Sequence, residues 1–277
     1  MKLNRLRLFV PVTLLVGSAV SFTASAGFGD LFSDDDKKPA PWAKEAFLTK
    51  ENCADLNYTD MSDFLVKYLP ASDNGKNIQR AADKVMTSYM LAALAVNQAN
   101  ICLAESLDLK EAKEELLKER EILTSGTSMS AKEMEKHREY ASNASAAIRE
   151  KTLRSKNIEP AQQKSFILGA STYLLGTYKT YEIKEDADKL MEVAEADAKR
   201  EKKKSSGGFS IGGLTDSITK GGDYLAATGL LQDVLEGLPE HLPKLITTAT
   251  FFIEYAKTQE LELNEDATEE FNETIQW

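Results

Sequence analysis

Residues 77–107 constrain the fold more than any other stretch. Ile78, Ala81, Val85, Tyr89, Ala92, Val96 and Leu103 recur there at helical spacing, and Met86, Met90, Leu91, Leu94 and Ile101 widen that face until little polar surface is left. A helix that is apolar nearly all round is stable in water only when neighbours cover it on several sides. Ala92, Ala93, Ala95 and Ala99 allow those neighbours to come close. No stretch of the chain sustains the period-two alternation and β-branched enrichment of strands. The expected fold is therefore all-α, a multi-helix bundle with a buried central helix.

The rest of the chain supplies the cover. Residues 42–56 read as a short helix carrying Cys53, and residues 61–69 as a helix capped by Thr59 or Asp60. Asp108 is expected to cap a charged helix over 109–124 whose stripe is Leu109, Ala112, Leu116 and Leu123. Ser130 and Glu133 match a capping box opening a helix to about residue 155, with Met134, Ala141, Ala144 and Ile148 inward. Those thin seams suit an antiparallel hairpin at the rim. Pro160 fits the first position of a helix reaching about residue 204, where Lys184, between an aromatic half and a charged half, is a place for a break. Within 223–263, two helices (224–238 and 241–263) are expected on either side of Pro239 and Pro243, packing on a bundle that spans 42–204. Between Glu260 and Glu273 lie seven carboxylates and no base, so residues 264–277 read as an acidic tail or a frayed helix.

The N-terminus says where such a bundle works. Lys2, Arg5 and Arg7 precede an apolar run from Leu8 to Phe22, which closes on Ala24-Ser25-Ala26. Basic start, short apolar centre and small residues at the end describe a secretory signal peptide, residues 1–26, cut after Ala26. A membrane-spanning helix needs about 20 apolar residues, and this run is shorter and contains Pro11. The mature chain, 251 of the 277 residues, opens with a lead-in over 27–41 that reads as disordered. Losing three cations takes the formal charge from −10 to −13. Such a chain repels phosphate backbones, so nucleic acid is excluded as a natural partner. The expected location is the bacterial periplasm. Cys53 and Cys102, the two cysteines of the chain, lie 49 positions apart without a CxxC or a nearby histidine, which in an oxidising compartment reads as one structural disulfide.

Chemistry is thinly marked. The chain has two histidines, His137 and His241, and no H-E-x-x-H, G-x-S-x-G or P-loop pattern. Glu133 and His137 offer two ligands on one helix face, but the plainer reading of His137 is a half-exposed side chain beside a glutamate. His241, between two prolines, reads as a helix N-terminal residue. No cofactor, metal or catalytic residue is expected. The leading expectation is a non-enzymatic binding or adaptor protein for another envelope protein. The alternative is a carrier holding a lipid or other apolar ligand between helices 77–107 and 160–183, and an enzyme of unknown type stands third. Phe166, Tyr173, Tyr178 and Tyr181 are the candidate ligand or partner contacts, although such an aromatic run is more often core. Phe209, Ile211 and Leu214 are the corresponding candidates in the glycine-rich segment 205–222, read as a mobile loop able to touch a partner, a lipid or a membrane.

Overall fold

The computed structural model describes residues 40–50, 52–69, 78–125, 131–155, 157–201 and 228–275. Residues 1–26, read as a signal peptide, most of the lead-in and the segment 205–222 with Phe209, Ile211 and Leu214 lie outside the described residues. Among those described, seven helices pack together and no strand occurs. They are α1 (Tyr58–Tyr68), α2 (Ile78–Ser106), α3 (Lys110–Ser125), α4 (Ala131–Arg154), α5 (Pro160–Glu201), α6 (Thr228–Thr258) and α7 (Glu265–Ile275). The chain is an all-α bundle.

α2 is its centre, as its sequence requires. Val85, Met86, Met90, Leu91, Leu94, Ile101 and Leu103 are all buried. The principal neighbour is α5, which runs antiparallel to it. Gly169 meets Ala99 and Leu103, Gly176 meets Ala95 and Val96, and further along Asp186 pairs with Lys84 at 2.7 Å. α3 and α4 cover a second side, burying Leu116, Leu123, Ala144 and Ile148.

α5 is continuous through Lys184, because Ile183, Ala187 and Leu190 carry the buried stripe across the point where the composition changes. The expected division at Pro239 and Pro243 is likewise absent: α6 runs through both. The two prolines are four residues apart and both exposed, on one face of the helix. On the other face Val234, Leu238, Leu242, Ala249, Phe252 and Ala256 form an unbroken buried stripe. His241 therefore lies inside a helix and not at the start of one.

The acidic end is also ordered. Asn264 Oδ1 accepts a hydrogen bond from Ala267 N–H at 3.0 Å and caps α7. Ala267, Phe271 and Thr274 then line a narrow buried face against α5. The seven carboxylates conceal an amphipathic helix.

At the front, residues 40–56 form a strap and not the expected helix: two 3-10 turns, Ala46–Thr49 and Cys53–Asp55. Ala40, Trp42, Phe47, Leu48 and Leu56 are buried beneath it. The Cys53–Cys102 disulfide pins the strap to α2, with Cα atoms 5.4 Å apart. Glu105 reinforces the junction, accepting hydrogen bonds from Cys53 N–H (3.1 Å), Ser165 Oγ (3.0 Å) and Lys113 Nζ (2.8 Å).

Asn57, one turn before the expected cap, opens α1, its N–H donating to Asp60 Oδ2 at 3.1 Å. Asp108 does not begin α3; it terminates α2 in the left-handed region, at φ 53°, while Leu109 N–H returns to Ala104 O. Glycine adopts this conformation without the Cβ penalty. Asp108→Gly is expected to raise stability by about 1 kcal/mol, read as a higher urea midpoint with an unchanged slope.

Candidate functional site

The aromatic candidates divide between two environments. Phe166 and Tyr173 project from α5 into the core against α6, with ring centres 5.5 Å from Tyr255 (Phe166) and 5.3 Å from Phe252 (Tyr173). They are packing groups, filled on their inner side by other rings. Tyr178 and Tyr181 are half-buried. Tyr178 lies under the Lys179 ammonium, 4.6 Å from its ring centre, on the edge where α5 meets α7. Phe166 and Tyr173 thus face α6, while Tyr178 lies toward α7.

That edge carries a local concentration of acid. Glu270 of α7 has Asp266 and Glu273 on its own helix and Glu182 on α5, with Lys179 the nearby cation. Its Oε2 is buried without a hydrogen-bond partner. Burial, and then the surrounding carboxylates, hold its carboxyl above the usual range against the pull of Lys179. Burial chiefly, with help from Glu182, Glu273 and Glu270, pushes the Tyr178 phenol up to about 12, and burial with Glu270 and Asp266 raises Tyr58 as well. A carboxyl whose pKa is higher in the folded than in the unfolded chain disfavours folding while ionised. The penalty is present above the folded pKa and is relieved as pH falls from there toward the unfolded value. Lowering pH from 8 toward 5 is therefore expected to slow hydrogen exchange in α7 relative to the rest of the bundle, after correction for intrinsic rates. Glu270→Gln should remove most of that difference and protect α7 at pH 8.

A second polar cluster is buried more deeply, and the sequence reading missed it. Glu119 is 2% exposed on the inner face of α3. Asn97 Nδ2 of α2 donates to Glu119 Oε2 at 2.9 Å and also to Leu116 O at 2.9 Å. His137 Nδ1 of α4 lies 2.8 Å from Glu119 Oε1. That nitrogen makes no aligned hydrogen bond. His137 is thus buried, not half-exposed, and the carboxylate it meets comes from another helix. The signal was present: Ala112, Leu116 and Leu123 leave a gap in a heptad stripe that Glu119 fills. A carboxylate beside an imidazole orients the ring, but no nucleophile or further ligand joins the pair on the described elements. Among the described residues no group of three His, Cys, Asp or Glu side chains is placed to hold a metal ion.

The disulfide is sealed. Both cysteines are buried, and Gln98 Nε2 points at both sulfurs, 3.4 Å from Cys102 Sγ and 3.6 Å from Cys53 Sγ. Beside it, Phe47, Leu56, Met61, Gln98, Leu168 and Thr172 line a small cleft. Among the described residues no helix is long and apolar enough to cross a membrane. The chain matches no protein-family model, no curated protein and no solved structure.

Proposed function

We propose that this protein is an exported, non-enzymatic binding or adaptor module of the bacterial envelope, working in the periplasm on another envelope protein. The observation that carries this reading is the closed seam between α2 and α5. A Cβ added at Gly169 would lie 2.9 Å from Ala99 O, and one at Gly176 would lie 2.8 Å from Val96 Cγ2. The two helices named for the carrier alternative thus touch backbone to backbone, leaving no space for an acyl chain along that length. A bundle whose interior is spent on packing acts through its surface. The buried Cys53–Cys102 disulfide, which leaves no free thiol, fits an oxidising compartment, and the basic–apolar–small pattern of residues 1–26 supports export.

Native mass spectrometry of the protein purified from its own host tests the reading. A stoichiometric polypeptide bound to a chain that starts at Gly27 is the expected result. Co-purifying lipid without a protein partner would favour the carrier.

A further inference from the structure

α7 fits its seat on α5 poorly. Of its eleven residues Ala267, Phe271 and Thr274 are buried, while Glu265, Asp266, Glu269 and Glu273 are exposed. The face of α5 beneath it is marked at both ends. Ser171 Oγ accepts a hydrogen bond from Asn264 N–H at 2.9 Å, and Glu182 lies near Glu270. Ser171, Leu175, Tyr178 and Glu182 follow at spacings of four, three and four, which makes them one row along one face of α5. The middle of that row, Leu175 and the Tyr178 ring, is apolar, the kind of surface an amphipathic helix packs against.

Glu270 is the misfit on this face. Its Oε2 is buried without a hydrogen-bond partner. Asp266 and Glu273 on α7 and Glu182 on α5 surround it with like charge, and Tyr178 and Tyr58 of α1 are the other titratable groups beside it. Lys179, the cation nearby, pairs with Glu182 of its own helix at 2.8 Å. A half-buried carboxylate facing carboxylates carries a cost that a neutral or basic side chain in the same place would not. Such a conflict between a local sequence and its packing is the mark of a site kept for function.

We propose that α7 is a resident lid on a helix-docking face of α5, the row formed by Ser171, Leu175, Tyr178 and Glu182. The occupant it gives way to is an amphipathic helix of the partner, with the same narrow apolar face and no carboxylate at the Glu270 position. Charge decides between the two: Glu182 repels Glu270 but accepts a hydrogen bond from a neutral or basic side chain placed there. The proposal rests on the adaptor reading and names the surface through which the module binds.

Thiol reactivity of Ala267→Cys in the full disulfide-bonded chain tests it, with Ala249→Cys in α6 as the reference. Both alanines are 0% exposed, so each new thiol reacts only when its helix opens. At pH 8 Ala267→Cys is expected to react about 100-fold faster than Ala249→Cys. A synthetic peptide of residues 260–275 carrying Glu270→Gln should raise that rate further, by about tenfold once it exceeds its Kd tenfold, and leave Ala249→Cys unchanged. The peptide with its native glutamate should need a higher concentration for the same rise. Equal rates for the two thiols overturn the lid. No rise with the glutamine peptide, or equal potency of the two peptides at pH 8, overturns the docking face. Thr274→Cys, 4% exposed in wild type on the same face of α7, takes the place of Ala267→Cys if that variant does not fold. The test involves this chain and a peptide alone, so it can fail while native mass spectrometry still finds a protein partner.

Discussion

Cys53→Ser/Cys102→Ser is expected to lower stability by about 4 kcal/mol, the chain-entropy value for releasing a loop of this size. The link spans 49 positions and joins the strap to the end of α2. Its loss frees the unfolded chain and also loosens a strap that buries Trp42, Phe47 and Leu48 in the native state. Urea unfolding should show the midpoint falling in the double-serine variant and in reduced wild type alike. Thiol titration of denatured, unreduced protein from its own host should find no free thiol. A double-serine variant within about 1 kcal/mol of wild type would show that the strap is held by packing alone.

The second large effect is expected at the seam. Gly176→Leu puts a branched side chain where even a Cβ lies 2.8 Å from Val96 Cγ2 and 3.1 Å from Val96 N. α5 must move off the α2 backbone or the side chain must leave its rotamer wells, at a cost of about 3 kcal/mol. Gly176→Ala is the milder control, because alanine gains about 1 kcal/mol of helix propensity over glycine. Its net loss should be about 1 kcal/mol once overpacking of 1–3 kcal/mol is set against that gain. A Gly176→Leu variant as stable as wild type would mean that room exists beside α5, the condition a carrier requires.

Much of the architecture was legible because it rests on period and covalent chemistry. The apolar girth of residues 77–107 dictated a buried helix, and α2 spans Ile78–Ser106. The spacing and number of the cysteines dictated the disulfide. The misreadings came where a local rule met a longer-range one. Pro239 and Pro243 break helices locally, yet both fall on the solvent face of a stripe that tertiary packing keeps intact. Asp108 looks like a cap for the following helix, but its positive φ closes the preceding one. In the acidic end, Ala267 and Phe271 carry too little apolar weight among carboxylates to be seen without α5 beside them.

The polar clusters were the least legible. Glu119 and Arg120 sit in a helix rich in Glu, Lys and Arg, where burial depends on which residues face α2, α4 and the strap. Nothing in their identity separates them from Glu121 or Lys118, which are exposed. Phe166 and Tyr173 belong to a run of the kind that is more often core, and the rings of α6 are what they pack against.

Hydrogen exchange across the α2–α5 seam, with and without an added fatty acid, tests the central claim most directly, namely that this interior is closed and the surface does the work. The predicted result is that peptides covering residues 95–103 and 169–176 exchange as slowly as global unfolding allows, and identically in both samples. Faster opening of these two peptides than of the whole bundle, or protection that appears there only when the fatty acid is added, would contradict it.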